Sequence, residues 1–234
     1  VQPGDIVIMV IPIDKEAPTG RIIAPQVQTL RELLDQSAIT IAVQEPELRR
    51  TIASLKQKPA LVITDSQAFE QVAAATPKDV PLTGFSVLYS RYKGDLTRQL
   101  MALHAIPKLK DGDNILVAEA CSHHPVEDDI GRAKIPKWLR RHTGKKLHFD
   151  TVSGHDFPEN ISDYALVIQC GSCMWNAKEV CSRLDICEEA GVSMTNYGLV
   201  IAYSLGIIER ALSPFPRELA LFLGREINRE IART

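Results

Sequence analysis

No apolar run in this chain of 234 residues is long enough to cross a bilayer. Nor does a charged leader precede a long apolar stretch, since Val1, Gln2, Pro3, Gly4 and Asp5 open straight onto a short apolar run. The expectation is an unexported, cytoplasmic chain that does not touch a membrane. Net charge is small as well: the formal value is -2, so nothing global attracts a nucleic acid. Phosphate-cradling loops are missing, because Thr143-Gly144-Lys145-Lys146 lacks both the upstream glycine and the Ser/Thr of a P-loop, and no GxGxxG occurs. GxSxG and HExxH are absent too, which leaves ordinary hydrolase chemistry without a foothold. Internal repeats and low-complexity segments are not visible.

Hydrophobic residues make up 45% of the chain, ample for a sizeable core. Short apolar runs alternate with helical spacing. Strands are expected at Asp5–Ile13, Ala38–Val43, Ala60–Thr64 and Val80–Tyr89, with helices at Pro25–Leu34, Glu45–Lys56 and from Asp65-Ser66 to about Ala75. The pattern pauses around Ser90–Asp95 and restarts with a helix over Leu96–Ile106. A second series follows, with strands at Asn114–Ala118, Lys146–Val152, Ala165–Gln169 and Val192–Met194. Its helices are expected near Pro136–His142, Ala177–Ala190, Tyr197–Leu212 and Pro216–Ala232. The fold class is therefore α/β: two consecutive three-layer domains, 1–93 and 94–234, each a mostly parallel sheet flanked by helices.

Two of the apolar runs end in thiols. Tyr164–Ile168 leads into Gln169-Cys170-Gly171-Ser172-Cys173-Met174, and Asn114–Ala118 leads into Cys121-Ser122-His123-His124. Gly and Ser inside a CxxC let the backbone turn tightly enough to aim both sulfurs at one centre. If the two runs are neighbouring parallel strands, their carboxyl ends meet at the rim where open α/β sheets bind ligands. The count of five cysteines is odd, which argues for metal or thiol chemistry rather than a disulfide framework. Two metal readings follow. Cys121, His123, Cys170 and Cys173 suit a closed tetrahedral zinc site. Alternatively, Cys121, Cys170 and Cys173 hold an iron–sulfur cluster whose fourth position is open to a weaker ligand, with His123 and Glu127 ranked above His124 and Gln169. An isolated CxxC is also compatible with two small buried side chains, and that reading weakens once the second cluster is seen.

Cys181 and Cys187 fall with Val180 and Leu184 on one helix face and read as core. His104, His142, His148 and His155 have no partner at ligand spacing. The basic run from Arg132 to Lys146 is expected to be a solvated face, with Arg132 a possible attractor for an anionic ligand near the thiols.

Taken together, Ala118–His124, Asp128–Arg132, Lys134–Leu139 and Val167–Met174 closely resemble the cluster-binding domain of HydF, the FeFe-hydrogenase maturation factor family. Pro12–Asp14, Ala17–Arg21, Pro25–Gln28 and Ser90–Asp95 look like that family's dimerisation domain, and Thr195–Gly198 and Pro214–Pro216 continue the match. The resemblance implies a scaffold or carrier: residues 1–93 dimerise and residues 94–234 hold a 4Fe-4S cluster through Cys121, Cys170 and Cys173. It implies a diiron precursor bearing CO and cyanide as cargo, with Arg132 contacting it. It also implies partners, namely radical-SAM maturases, apo FeFe-hydrogenase and further copies of the chain in a homodimer or larger homo-oligomer. The family's GTPase domain has no signature here, so the sequence is expected to be the part that follows it, not itself an enzyme. Where the family commonly has His, this chain has Gln169. A zinc-binding docking module and a small iron–sulfur enzyme with an open iron are the alternatives.

Overall fold

The computed structural model describes residues 1–13, 20, 22–120 and 129–226. Its first sheet is built from β1 (Ile6–Val10), β2 (Ile39–Val43), β3 (Leu61–Thr64) and β4 (Leu82–Gly84), in the spatial order β2-β1-β3-β4. Every pairing is parallel. β1 lies between two neighbours, so Val7 to Val10 have no exposed face, which is why this strand reads as an unbroken apolar run. The connecting helices are α1 (Ala24–Asp35), α2 (Leu48–Ser54) and α3 (Phe69–Ala75). Pro25 sits in the first turn of α1, where its missing N–H costs nothing.

Residues 80–89 are not one strand, as the sequence suggests. Pairing with β3 ends at Gly84, and α4 (Phe85–Lys93) begins at once. Phe85, Leu88, Tyr89 and Tyr92 recur at the helical period, while Phe85, Val87 and Tyr89 alternate like a strand, so the segment satisfies both templates. The helix runs through the expected pause at Ser90 and stops before Gly94, after which Asp95 Oδ1 accepts from Arg98 N at 2.9 Å and caps α5 (Leu96–Met101).

The second sheet consists of β5 (Asn114–Glu119), β6 (His148–Ser153), β7 (Leu166–Gln169) and β8 (Ser193–Asn196), again all parallel, in the order β6-β5-β7-β8. Its helices are α6 (Ile135–Thr143), α7 (Ala177–Glu189) and α8 (Tyr197–Ser204). The expected helix over Tyr197–Leu212 breaks at Gly206, whose φ of 72° is left-handed, and α9 (Ile208–Ala211) follows. α10 (Pro216–Phe222) ends well short of Ala232, with Gly224 at φ 62°. Residues 227–234 lie outside the described residues.

The chain forms two compact units, Val1–Leu88 with the segment from Ile207 onward, and Tyr89–Gly206. In the first, Ser213 Oγ receives Leu82 N at 2.9 Å and donates to Leu82 O at 3.1 Å, which satisfies both backbone groups on edge strand β4. In the second, Val180, Leu184 and Cys187 turn inward from α7, whereas Cys181 is only half-buried.

Cys187 packs among Leu116, Val167, Leu184 and Met194, and burial pushes its thiol from 9.0 up to about 12. A thiol raised by folding lends stability that is complete below its unfolded value and is lost as pH climbs through the folded one. Cys187→Ala is therefore expected to flatten the loss of thermal stability between pH 9.0 and about 12, at a cost of about 1 kcal/mol at neutral pH. Melting curves at stepped pH check this.

Candidate metal centre

The connection order makes β5 and β7 adjacent while their crossovers depart to opposite sides, so the second sheet has its switch point between their carboxyl ends. The CxxC loop leaves β7 there. Cys170 N still donates to Ala118 O at 2.9 Å, extending the ladder by one residue. The chain then turns through Gly171 into Ser172, a buried non-glycine residue at φ 52°. That left-handed residue is held by its own neighbours: Ser172 Oγ donates to Cys170 O at 3.2 Å, and Ser172 N points at Cys170 Sγ at 3.4 Å.

Cys170 Sγ is in fact the focus of three N–H groups, with Ala120 N at 3.1 Å and Gln169 Nε2 at 3.7 Å joining Ser172 N. Burial raises the thiol's pKa, and these donors offset only part of that rise. Convergent donors around a sulfur suit a thiolate that is bound to a metal, where such bonds help set the potential. The donor set therefore fits a thiolate-held group.

Lys93 anchors the same loop from the end of α4. Its ammonium donates to the carbonyls of Ser172, Cys173 and Trp175 at 3.3, 2.8 and 2.7 Å and lies 5.0 Å from the centroid of the Tyr89 ring. An ammonium has three hydrogens, and each finds a carbonyl. On the far side Arg183 of α7, only 2% exposed, is sandwiched between Phe157 and Trp175, 4.5 and 4.1 Å from the ring centroids. It donates to Gln169 Oε1 at 3.1 Å, to Gly154 O at 2.8 Å and to Asp156 O at 3.3 Å. Burial lowers the pKa of both cations.

At the end of β5, the buried Glu119 carboxylate accepts from Arg132 Nη2 at 2.9 Å and from Ser153 Oγ at 3.1 Å. Nearby, the Tyr197 hydroxyl is buried with no hydrogen-bond partner among the described residues. It fills the space that Gly131 leaves, since a Cβ there would sit 2.0 Å from the hydroxyl oxygen. Gly131→Ala is expected to displace Tyr197 or the 130–134 turn and cost roughly 1–3 kcal/mol, read as a lowered Tm.

Two family models match the chain along almost its whole length. Residues 1–94 match the hydrogen maturase F dimerization domain, and residues 97–214 match the hydrogen maturase F tetramerization domain. The chain belongs to the hydrogen maturase F family. Membership ties it to hydrogenase maturation, and the two named domains support self-association. No curated protein sequence matches it. Among solved structures, it is similar to a candidate aspartate carbamoyltransferase of Leishmania major Friedlin at 11% identity, covering 88% of this chain and 84% of that one with a TM-score of 0.32.

Within this hydrogen maturase F chain the structure places Cys170 and Cys173 together on the switch-point loop. Cys121, His123, His124 and Glu127 lie outside the described residues. Among the described residues, no group of three or more His, Cys, Asp or Glu side chains gathers as a metal site. Gln169 is 1% exposed, with its amide engaged at both ends. Arg132 is paired with Glu119, and its side chain remains 39% exposed. His155 stacks on Trp175 at 5.3 Å and reaches Glu179 Oε1 at 3.3 Å, so it borders the loop although its spacing in sequence gave no sign of it. Nothing in the spacing of Lys93 or Arg183 marks them as site residues either. No helix of the described residues is long and apolar enough to cross a membrane.

Proposed function

We propose that this chain is a scaffold and carrier in FeFe-hydrogenase maturation, holding a 4Fe-4S cluster through Cys121, Cys170 and Cys173. The observation that supports it best is the preparation of Cys170: its sulfur receives three N–H groups, one of them from Ala120, the residue just before Cys121. His123, Glu127 or His124 supplies a weak fourth ligand in this reading, and Gln169 ranks below them because its oxygen is taken by Arg183. When bound, the cluster supplies an iron corner open to exchange. Cys170 and Cys173 hold it at the switch point, Lys93 and Arg183 add nearby positive charge, and Arg132 faces the anionic cargo with its exposed portion.

The cargo is a diiron precursor carrying CO and cyanide. Radical-SAM maturases contribute its ligands, and apo FeFe-hydrogenase receives it in the cytoplasm. The chain itself catalyses no reaction here; GTP hydrolysis belongs to a domain of a full-length parent. The test is transfer. Chain loaded with a synthetic diiron precursor and mixed anaerobically with apo-hydrogenase is expected to generate hydrogen evolution. No activity from a chain shown to carry the precursor would contradict the carrier reading.

A further inference from the structure

We propose that Gln169 is the side chain that tunes Cys170, by donating N–H to its sulfur under the control of Arg183, and that it is not a ligand of the bound group. This inference rests on the reading of Cys170 as a cluster ligand.

Which end of the amide faces which neighbour decides what Gln169 can do. A guanidinium only donates, so the atom of Gln169 that lies 3.1 Å from Arg183 Nη1 is the oxygen. The orientation of the amide is thereby fixed by chemistry rather than by a choice between indistinguishable atoms. Its NH₂ group must then face Cys170 Sγ, 3.7 Å away. An amide nitrogen has no lone pair to offer a metal, and the only atom of Gln169 that could ligate is turned toward Arg183.

Arg183 has little freedom to release it. Two backbone carbonyls, Gly154 O and Asp156 O, hold one end of the guanidinium, and Phe157 and Trp175 cover its two faces. Among the described residues no carboxylate forms an ion pair with it. A buried cation without a bonded carboxylate raises the local potential at Cys170, and Gln169 carries that polarisation to the sulfur through one hydrogen bond. Adding an electron to a thiolate-bound cluster increases negative charge on its sulfurs. A donor aimed at one of them therefore favours the reduced state.

Gln169→Leu removes the donor while keeping the volume apolar. After anaerobic reconstitution, this variant is expected to bind as much iron and sulfide as wild type and keep the wild-type EPR line shape, because no ligand has been lost. Its reduction equilibrium is expected to fall roughly tenfold, a midpoint lower by 59 mV for a one-electron couple. If Gln169→Leu does not fold, Gln169→Met takes its place. That side chain matches the length of glutamine, carries no charge and has no N–H for the sulfur, so the same lowered midpoint is expected. In metal-free wild type, the Gln169 side-chain amide protons are expected to exchange slowly with solvent by NMR.

An unchanged midpoint, a changed line shape with lost iron, or rapid exchange of those protons would each overturn the proposal. The wild-type control separates the two levels: a wild type that binds no iron and sulfide defeats the cluster reading itself, whereas a wild type with a normal cluster beside an unshifted variant defeats only the role of Gln169.

Discussion

Cys170→Ala, Cys173→Ala and Cys121→Ala are each expected to lower the iron retained after anaerobic reconstitution from about four per chain to near zero. Two thiolates cannot close three corners of a cubane, and the loop offers no spare soft ligand, since Cys181 and Cys187 lie along α7 and Cys187 is buried in the core. The three variants should differ in what else they change. Removing Cys170 also orphans the N–H groups of Ala120 and Ser172 that now point at its sulfur. It is expected to lose stability of about 1–3 kcal/mol even without metal. Cys173 is held through its carbonyl, which accepts from Lys93, and among the described residues no hydrogen bond reaches its sulfur, so Cys173→Ala should leave the metal-free Tm nearly unchanged. Iron counting by colorimetry together with melting of the metal-free proteins separates ligand loss from misfolding. Full iron in any one variant would remove that cysteine from the ligand set.

Lys93→Met is expected to have the second large effect. The substitution keeps the length of the stem over Tyr89 but leaves the carbonyls of Ser172, Cys173 and Trp175 without their shared donor. The Ser172 carbonyl keeps Trp175 N as a donor at 3.0 Å; an unsatisfied buried carbonyl costs about 1–3 kcal/mol, and the two that lose their donor should together amount to roughly 2–4 kcal/mol. The loop can recover part of this by opening to water, which would separate Cys173 from Cys170. Iron should therefore leave the variant faster when a chelator is added, at least tenfold by stopped-flow absorbance. Lys93→Arg keeps the charge but presents a planar fork to three carbonyls arranged for a tetrahedral ammonium, so it should rescue only part of the loss. If Lys93→Met held iron as tightly as wild type, the loop would owe its shape to Ser172 and its own turn alone.

Much of this site can be seen in the chain before it is folded. Two apolar runs that both end in cysteine, separated by one intervening strand, already imply a rim where thiols meet, and β5 and β7 do pair in parallel with Ala118 opposite Gln169. What a linear pattern cannot display is the support behind the thiols. Lys93 precedes Cys173 by 80 positions and looks like one more surface cation beside Arg91. Arg183 sits in a helix rich in charge, and only the approach of Phe157 and Trp175 shows that its face is inward.

Residues 80–89 misled for a different reason: their apolar positions satisfy periods of 2 and 3.6 together, and the end of pairing at Gly84 decides between them. Likewise nothing local in the segment after Ile207 tells which sheet it covers; the contact of Ser213 with Leu82 does.

The most direct measurement is anaerobic reconstitution of the wild-type chain with iron and sulfide, followed by metal and sulfide counting and EPR of the reduced protein. About four irons and four sulfides per chain, with a reduced-state signal that shifts on adding cyanide or imidazole, is the predicted result. Stoichiometric zinc, no sulfide and no signal would contradict it, and would make Cys121, Cys170 and Cys173 part of a closed structural clamp.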